Sequence, residues 1–154
     1  MENSKVYGVT ARIRRINDMF VDLSRSIYKR LGLDLEPNWH LVLMLIEEHD
    51  NLSVCEIAKY LELSHPSVIS IINTMEKRGY LIRSKDTKDS RRTLISLSDK
   101  AKNNMPVFKQ SWEEIAGYFK EFVPEEFIDQ LIRIEDFFQS NDVVEDICKR
   151  IERC

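Results

Sequence analysis

The 154-residue sequence has few of the residues that turn a chain sharply. It holds only four glycines and four prolines, whereas an all-β fold needs turn residues at short, regular intervals. This scarcity argues against a sandwich or a barrel. Because apolar residues make up 43% of the chain and charged residues 32%, the composition predicts a helix-rich globular protein.

Long apolar runs and paired cysteines are missing as well. No run of about 18 consecutive apolar residues occurs, so the sequence predicts no transmembrane helix and no membrane partner. The N-terminal residues lack the uninterrupted apolar core of a signal peptide. Cys55, Cys148 and Cys154 form an odd, widely spaced set that does not indicate a disulfide framework. We therefore expect reduced thiols and a cytoplasmic protein.

Patterns typical of catalysis or metal binding are absent too. His40, His49 and His65 have no Cys, Asp or Glu at the spacing of a zinc or catalytic site. No glycine-rich phosphate loop is present either. We expect no enzyme, no catalytic residues, no metal and no cofactor. Cys55 falls in the first turn of a predicted helix, which leaves a thiol sensor open, although we favour a half-buried structural cysteine.

The charge is unevenly distributed along a chain whose formal net charge is −3. Residues 77–102 contain nine basic and three acidic residues, whereas residues 110–154 contain five basic and twelve acidic residues. A basic segment carried by an acidic scaffold is typical of a nucleic-acid-binding element.

Amphipathic helices are predicted at both ends of the chain. From Val6 to Leu31, apolar residues recur every three or four positions, which predicts a helix that packs on another long helix. A second helix is predicted over residues 38–49. Near the C-terminus we expect one helix from Asp99 to about Phe122 and another from Pro124 to about Arg153. The apolar side of the helix predicted over residues 38–49 is expected to comprise Trp39, Leu41, Met44 and Leu45.

The middle of the chain predicts two short helices joined by a tight turn. Ser53 and Glu56 form a capping-box pattern that opens a helix over residues 54–61. Ser64 caps the next helix, which ends at Gly79. We expect Leu63 to fill the turn and a buried interface formed by Ile57, Ala58, Leu61, Val68 and Ile71.

After this helix pair, the periodicity changes from that of helices to that of strands. Residues 80–84 and 93–97 are predicted to be strands, and the polar residues 85–92 form the loop between them. Helix, turn, helix, strand, basic loop and strand, in this order, are typical of a winged helix-turn-helix. The predicted fold class is therefore mainly α, with a small β-hairpin wing.

Residues from about Asn51 to Leu97 resemble the DNA-binding core of the MarR family of bacterial regulators. The long helices on both sides are similar to that family's dimerisation region. The resemblance implies a DNA-binding lobe over residues 38–98 and a helical dimerisation region formed by residues 4–33 and 99–154. The stretches that carry the resemblance are residues 52–61, 64–68, 75–81 and 86–92, followed by Leu97-Ser98.

The second helix of the pair is expected to enter the major groove with its small polar side chains, and the basic loop is expected to neutralise phosphates. The resemblance implies that Arg91 is the wing residue aimed at the minor groove and that Asp89 braces the loop. Ser70 stands where the family often has a basic residue, so this helix is less basic than usual. The expected DNA-binding residues are Ser64, His65, Pro66, Ser67, Ser70, Asn73, Thr74, Lys77, Lys85, Lys88, Arg91 and Arg92.

The function expected from these features is that of a sequence-specific transcription regulator of duplex DNA. We expect a homodimer on a pseudo-palindromic site, acting as a ligand- or stress-responsive repressor. The resemblance also implies a small aromatic effector. An alternative remains open, namely a protein-interaction module that uses the same fold without DNA. The residues expected to border an effector pocket are Trp39, His40, Phe108 and Trp112.

Overall fold

The computed structural model describes residues 8–87, 89 and 91–152. The predictions made for Val6, Lys88 and Cys154 fall outside these residues. In the described part of the chain, no helix is long and apolar enough to cross a membrane. The elements in chain order are α1 Val9–Arg30, α2 His40–His49, β1 Leu52–Ser53, α3 Val54–Tyr60, α4 His65–Lys77, β2 Leu81–Lys85, β3 Thr93–Leu97, α5 Asp99–Lys120, α6 Glu125–Ser140 and α7 Val143–Glu152.

Helix α1 is amphipathic as predicted, and its apolar stripe stays partly exposed. Tyr28 is the one buried residue of the helix. Such an amphipathic stripe is stabilised only when another surface covers it. The apolar residues of the stripe that stay exposed are Val9, Ile13, Ile16, Phe20 and Leu23.

The apolar face predicted for the second helix was confirmed at Trp39, which is buried, and was wrong at two residues of α2. Leu41 and Met44 are exposed, whereas Val42, Leu43 and Ile46 are completely buried. The helix contains six consecutive apolar residues from Leu41 to Ile46, so its periodicity does not define a single face. The packing of the surrounding elements decides which side is buried.

Helices α3 and α4 form the predicted helix pair. Ile57 of α3 is fully buried, as are Val68 and Ile72 of α4. The turn between the helices places Glu62 at φ 53°, the left-handed region in which a side chain is strained. Leu63 does not fill the turn as predicted, because it stays 40% exposed.

Helix α4 ends in a Schellman motif built on Gly79. The Gly79 N–H donates to the Glu76 carbonyl at 2.9 Å, and the Tyr80 N–H donates to the Met75 carbonyl at 2.9 Å. Gly79 adopts φ 77°, which a residue with a Cβ adopts only at a cost. The motif turns the chain directly from the end of α4 into β2.

The sheet has three strands in the order β1-β3-β2, and both pairs are antiparallel. Strands β2 and β3 form the predicted hairpin, with Leu81 opposite Leu97 and Lys85 opposite Thr93. Lys85 therefore belongs to a strand and not to the loop. The two-residue strand β1 was not predicted, because so short a segment leaves no alternating pattern.

An aromatic cluster lies at the centre of the first compact unit. The Tyr80 ring lies 5.5 Å from the Trp39 ring and 6.0 Å from the Phe108 ring, measured between centroids. Burial and the nearby Asp34 carboxylate raise the pKa of Tyr80 above its usual value. The Arg78 guanidinium covers Trp39, and the Lys100 ammonium lies 4.0 Å from the centre of the Tyr80 ring.

The boundary between the two compact units of the chain lies between Phe108 and Lys109. In the second unit, the single helix predicted from Pro124 to Arg153 is wrong. The helix is interrupted at Asn141, which adopts an extended conformation. The next helix begins after Asp142, whose side chain accepts a hydrogen bond from the Glu145 N–H. No residue of α6 or α7, all of which are described, is buried.

Candidate nucleic-acid interface

The outward face of α4 carries the polar side chains expected to contact DNA. Pro66, Ser70, Asn73 and Lys77 are all exposed, on the side opposite the buried Val68, Ile72 and Met75. Lys77 has no ion-pair partner among the residues described. A polar face opposite a buried face allows one side of the helix to enter a groove.

Hydroxyl groups at the beginning of α4 are partly committed to the helix itself. The Ser64 side chain accepts a hydrogen bond from the Ser67 N–H, and the two hydroxyl groups lie 2.7 Å apart. Further along, the Thr74 hydroxyl donates to the Ser70 carbonyl at 2.9 Å. Ser70 differs from Ser64, Ser67 and Thr74, because its hydroxyl group forms no hydrogen bond with any described residue. The roles of these residues in DNA binding stay predictions.

In the wing, Asp89 and Arg91 form a two-pronged ion pair. The Asp89 carboxylate accepts from Arg91 Nε at 3.0 Å, from Nη2 at 3.2 Å and from the Arg91 backbone N–H at 3.1 Å. These bonds lower the pKa of Asp89. The Arg91 side chain remains 89% exposed, so the ion pair directs the guanidinium while leaving it accessible. This geometry is what a bracing role for Asp89 requires.

Arg92 is held against the beginning of α3. Its Nη2 donates to Glu56 Oε1 at 2.8 Å, and its Nε lies 3.9 Å from Asp86 Oδ2. The Glu56 carboxylate also accepts from the Ser53 N–H and the Ser53 hydroxyl, at 2.8 and 2.6 Å. These bonds from Ser53, together with Arg92, lower the pKa of Glu56 to about 2. The predicted capping box therefore anchors the wing as well as the helix.

His65, Arg91 and Arg92 line one open depression of about 540 Å³ between the wing and the beginnings of α3 and α4. Cys55 lies in the same depression, and its Sγ is 3.4 Å from His65 Nε2. The expectation of a half-buried Cys55 was wrong, because the side chain is exposed. The fold thus brings the predicted residues at the N-terminus of α4 together with those of the wing.

Arg83 is a candidate interface residue that the sequence analysis did not single out. It lies on β2, and its guanidinium donates to Asn73 and to Glu76, both on α4. No local pattern links these positions, since the contact depends on how the strand packs beside the helix. Arg83 connects the wing sheet to the face of α4 that is expected to contact DNA.

The role of Trp39, His40, Phe108 and Trp112 in an effector pocket stays a prediction. Trp39 and Phe108 are buried in the aromatic cluster, and the His40 ring bonds the Pro37 carbonyl at 2.7 Å. Trp112 belongs to the second compact unit. A cavity of about 320 Å³ does border Trp39, and its other lining residues are Val21, Arg25, Glu36, Pro37, Asn38, Ser70, Ile71 and Thr74.

Within the described ranges, no three His, Cys, Asp or Glu side chains are grouped so that they could hold a metal ion. The charged side chains of the interface pair with one another or face solvent.

Taken together, the helix pair, the Schellman turn and the three-stranded sheet with its charged loop define a winged helix-turn-helix protein. Residues 33–92 match the model of the MarR family. The match covers 60 of the 154 residues, so this part of the chain is similar to that family, as the resemblance in its sequence implied.

Relatives of known function come from Staphylococcus aureus. The chain is 27% identical over 89 residues to the HTH-type transcriptional regulator SarZ of strain MRSA252, covering 54% of this chain and 60% of that protein. It is 29% identical over 69 residues to SarZ of strain USA300, covering 45% and 47%. The matches thus span about half the length of these curated relatives. The family and these relatives are transcriptional regulators rather than enzymes.

Solved structures share the fold over most of the chain. The structure of reduced AbfR bound to DNA has a TM-score of 0.67 and 17% identity, covering 91% of this chain and 98% of that one. The S. aureus MepR–DNA complex has a TM-score of 0.69 and 19% identity, covering 86% and 97%. The transcriptional regulator SlyA has a TM-score of 0.66 and 20% identity, covering 90% and 95%.

Proposed function

We propose that the protein is a sequence-specific transcription regulator that binds duplex DNA as a homodimer on a pseudo-palindromic site. The observation that carries the proposal is the convergence of His65, Arg91 and Arg92 around one depression beside the exposed polar face of α4. A groove-reading helix beside a cationic wing offers both base contacts and phosphate contacts. The fold shared with AbfR and MepR, each solved with DNA, supports the proposal.

The dimer is supported by apolar faces that stay partly exposed. Ile13, Phe20 and Leu23 on α1 are exposed, as are Phe138 on α6 and Ile147 on α7. One winged helix reads only a few base pairs, whereas two modules held one helical turn apart read a pseudo-palindrome. A second copy of the chain would cover the apolar faces and set that spacing. Repression follows if the bound dimer occupies a promoter.

The test of DNA binding measures affinity for duplex DNA by fluorescence anisotropy at several salt concentrations. We expect Arg91→Ala to weaken binding at moderate salt by about tenfold. The slope of the logarithm of the binding constant against the logarithm of the salt concentration should become shallower by about one. The matched control is Arg15→Ala, which removes an exposed arginine from α1 and leaves the wing intact. An unchanged dissociation constant for Arg91→Ala would contradict the wing assignment, and no binding by the wild type would contradict the function.

A response to a small effector is a second part of the proposal, supported by the cavity between α1 and α4. Trp39 and Arg25 are among its lining residues. The Arg25 guanidinium pairs with Asp22 and Glu36, and it is the cation for which the carboxylate of a small aromatic acid would compete. Because Ser70 and Thr74 of α4 line the same cavity, an occupant there would bias the position of the helix. Titration with phenolic carboxylates should weaken DNA binding, and Arg25→Gln should reduce this response. Binding that no such compound changes would refute an effector of this class.

A further inference from the structure

Asn73 and Arg83 form a hydrogen bond in which only Arg83 can be the donor. Arg83 Nη2 donates to Asn73 Oδ1, and Arg83 Nε donates to Glu76 Oε2 at 2.8 Å. Asn73 and Glu76 lie three residues apart on α4, so one guanidinium engages both. Glu76 holds the guanidinium in place, and the guanidinium in turn holds the Asn73 amide.

The orientation of the Asn73 amide follows from the donor inventory of its partner. A guanidinium has only N–H donors and no acceptor, so the amide must turn its oxygen toward Arg83. The Nδ2 group, with its two hydrogens, is then left for another partner. Among the described residues none accepts from it, and Asn73 is exposed on the outward face of α4.

An asparagine that is free to rotate reads adenine with both ends, accepting from N6 and donating to N7. An asparagine whose oxygen is already engaged offers mainly its donors. Guanine presents two adjacent acceptors, N7 and O6, in the major groove, whereas adenine presents one acceptor beside a donor. The donors left on Asn73 therefore match guanine better than adenine.

We propose that Asn73 reads guanine as a donor and that Arg83 is the positioning residue that imposes this choice. The inference rests on the proposed function, since it assumes that α4 enters the major groove. It assigns base selection at one position to a side chain on β2 that need not touch the DNA.

The alternative is that Arg83 only fastens β2 to α4. In that case its loss would lower stability and weaken binding to all sequences alike. A change in base preference at a single position, with little change in affinity for random duplexes, separates the two roles.

The experiment selects duplexes from a randomised library with the wild type and four variants, and thermal unfolding is recorded for each protein. Asn73→Ala identifies the contacted base pair as the position where preference disappears. At that position we expect the wild type to favour G·C over A·T by roughly tenfold. Arg83→Met, which frees the amide oxygen, should abolish this preference or shift it toward A·T.

Two matched variants retain a donor beside the amide oxygen. Arg83→Lys should keep the preference for G·C, because an ammonium is also donor-only. Glu76→Gln should keep it as well, because Arg83 still engages Asn73. Replacing the contacted guanine by 7-deazaguanine, which lacks the N7 acceptor, should weaken the wild type severalfold and leave Asn73→Ala unaffected.

The possible results are distinguishable. A wild type that selects no sequence would overturn the proposed function, and the inference with it. A wild type that selects a sequence but prefers A·T at the Asn73 position would overturn the inference alone. The same holds if Arg83→Met keeps the wild-type preference. A base preference that changes in Arg83→Met and stays as in the wild type in Arg83→Lys would establish Arg83 as the positioning residue.

Discussion

The winged-helix lobe and the flanking helices solve the same packing problem in different ways. In the lobe, Ile46, Ile57 and Ile72 are completely buried within the chain. In α6 and α7, every apolar residue keeps part of its surface exposed. Apolar residues recur with helical periodicity in both regions. This periodicity indicates only that the apolar side of each helix packs against another surface. It does not say whether that surface belongs to the same chain.

Removing a core side chain from the lobe should have the largest effect. Ile72→Ala is expected to lower the free energy of unfolding by about 3 kcal/mol, because it leaves a cavity among side chains that cannot fill it. The loss should be the same at every protein concentration in denaturant titrations. Ile147→Ala, at a position 51% exposed, should instead give a loss that depends on protein concentration. If the stability loss of both variants depended on protein concentration in the same way, the two regions would not differ in how they are stabilised.

A charge placed on the exposed stripe of α1 tests the dimer directly. Phe20→Glu should shift the sedimentation of the protein toward the monomer and weaken binding to a pseudo-palindromic duplex by roughly a hundredfold, because a monomer reads one half-site. Ala11→Glu introduces the same charge on the opposite side of α1 and should change neither measurement. A Phe20→Glu variant that remains dimeric would show that this stripe is not the interface.

The capping box of α3 should contribute a smaller, pH-dependent amount. The Glu56 pKa is lowered to about 2, so the carboxylate stabilises the fold fully above its ordinary pKa of 4.5. This stabilisation is lost as the pH falls from about 4.5 to about 2. Because the side chain is 41% exposed, solvent screens its bonds, and we expect Glu56→Gln to cost about 1 kcal/mol at pH 7.

Unfolding measured from pH 7 to pH 2 should show the stabilities of Glu56→Gln and the wild type converging below pH 4.5. Glu113→Gln, at an exposed position on α5, provides the control. A difference between Glu56→Gln and the wild type that persists unchanged to pH 2 would refute the role of the charged carboxylate.

The smallest effect is expected in the turn between α3 and α4. Glu62 adopts φ 53°, where glycine avoids the strain that a Cβ causes. Glu62→Gly should therefore raise the free energy of unfolding by about 0.5 to 1 kcal/mol and increase Tm by a few degrees. Glu48→Gly, inside α2, should lower Tm instead. A fall in Tm for Glu62→Gly would show that the turn is not strained.

The elements that the sequence predicted well are those encoded by neighbouring residues. The capping box of Ser53 and Glu56, the cap at Ser64 and the glycine at the end of α4 each depend on groups a few residues apart. The elements it missed depend on distant ones. The pairing of β1 with β3, the buried face of α2 and the Arg83–Asn73 contact arise only when separate elements meet, which no local pattern encodes. The break at Asn141 was missed because neither glycine nor proline marks it.

The short strand β1 has a further consequence for how the lobe opens. Leu52 pairs with Ile95, so the residues just before α3 are tied to the strand that follows the wing. A strand of two residues is too short to persist without this neighbour. We therefore expect the helix pair and the wing to unfold as one cooperative unit. In hydrogen exchange, the amide protons of Ile57 and Ile95 should be released in the same opening event. The two halves of the candidate interface would then stay in register for as long as either is folded.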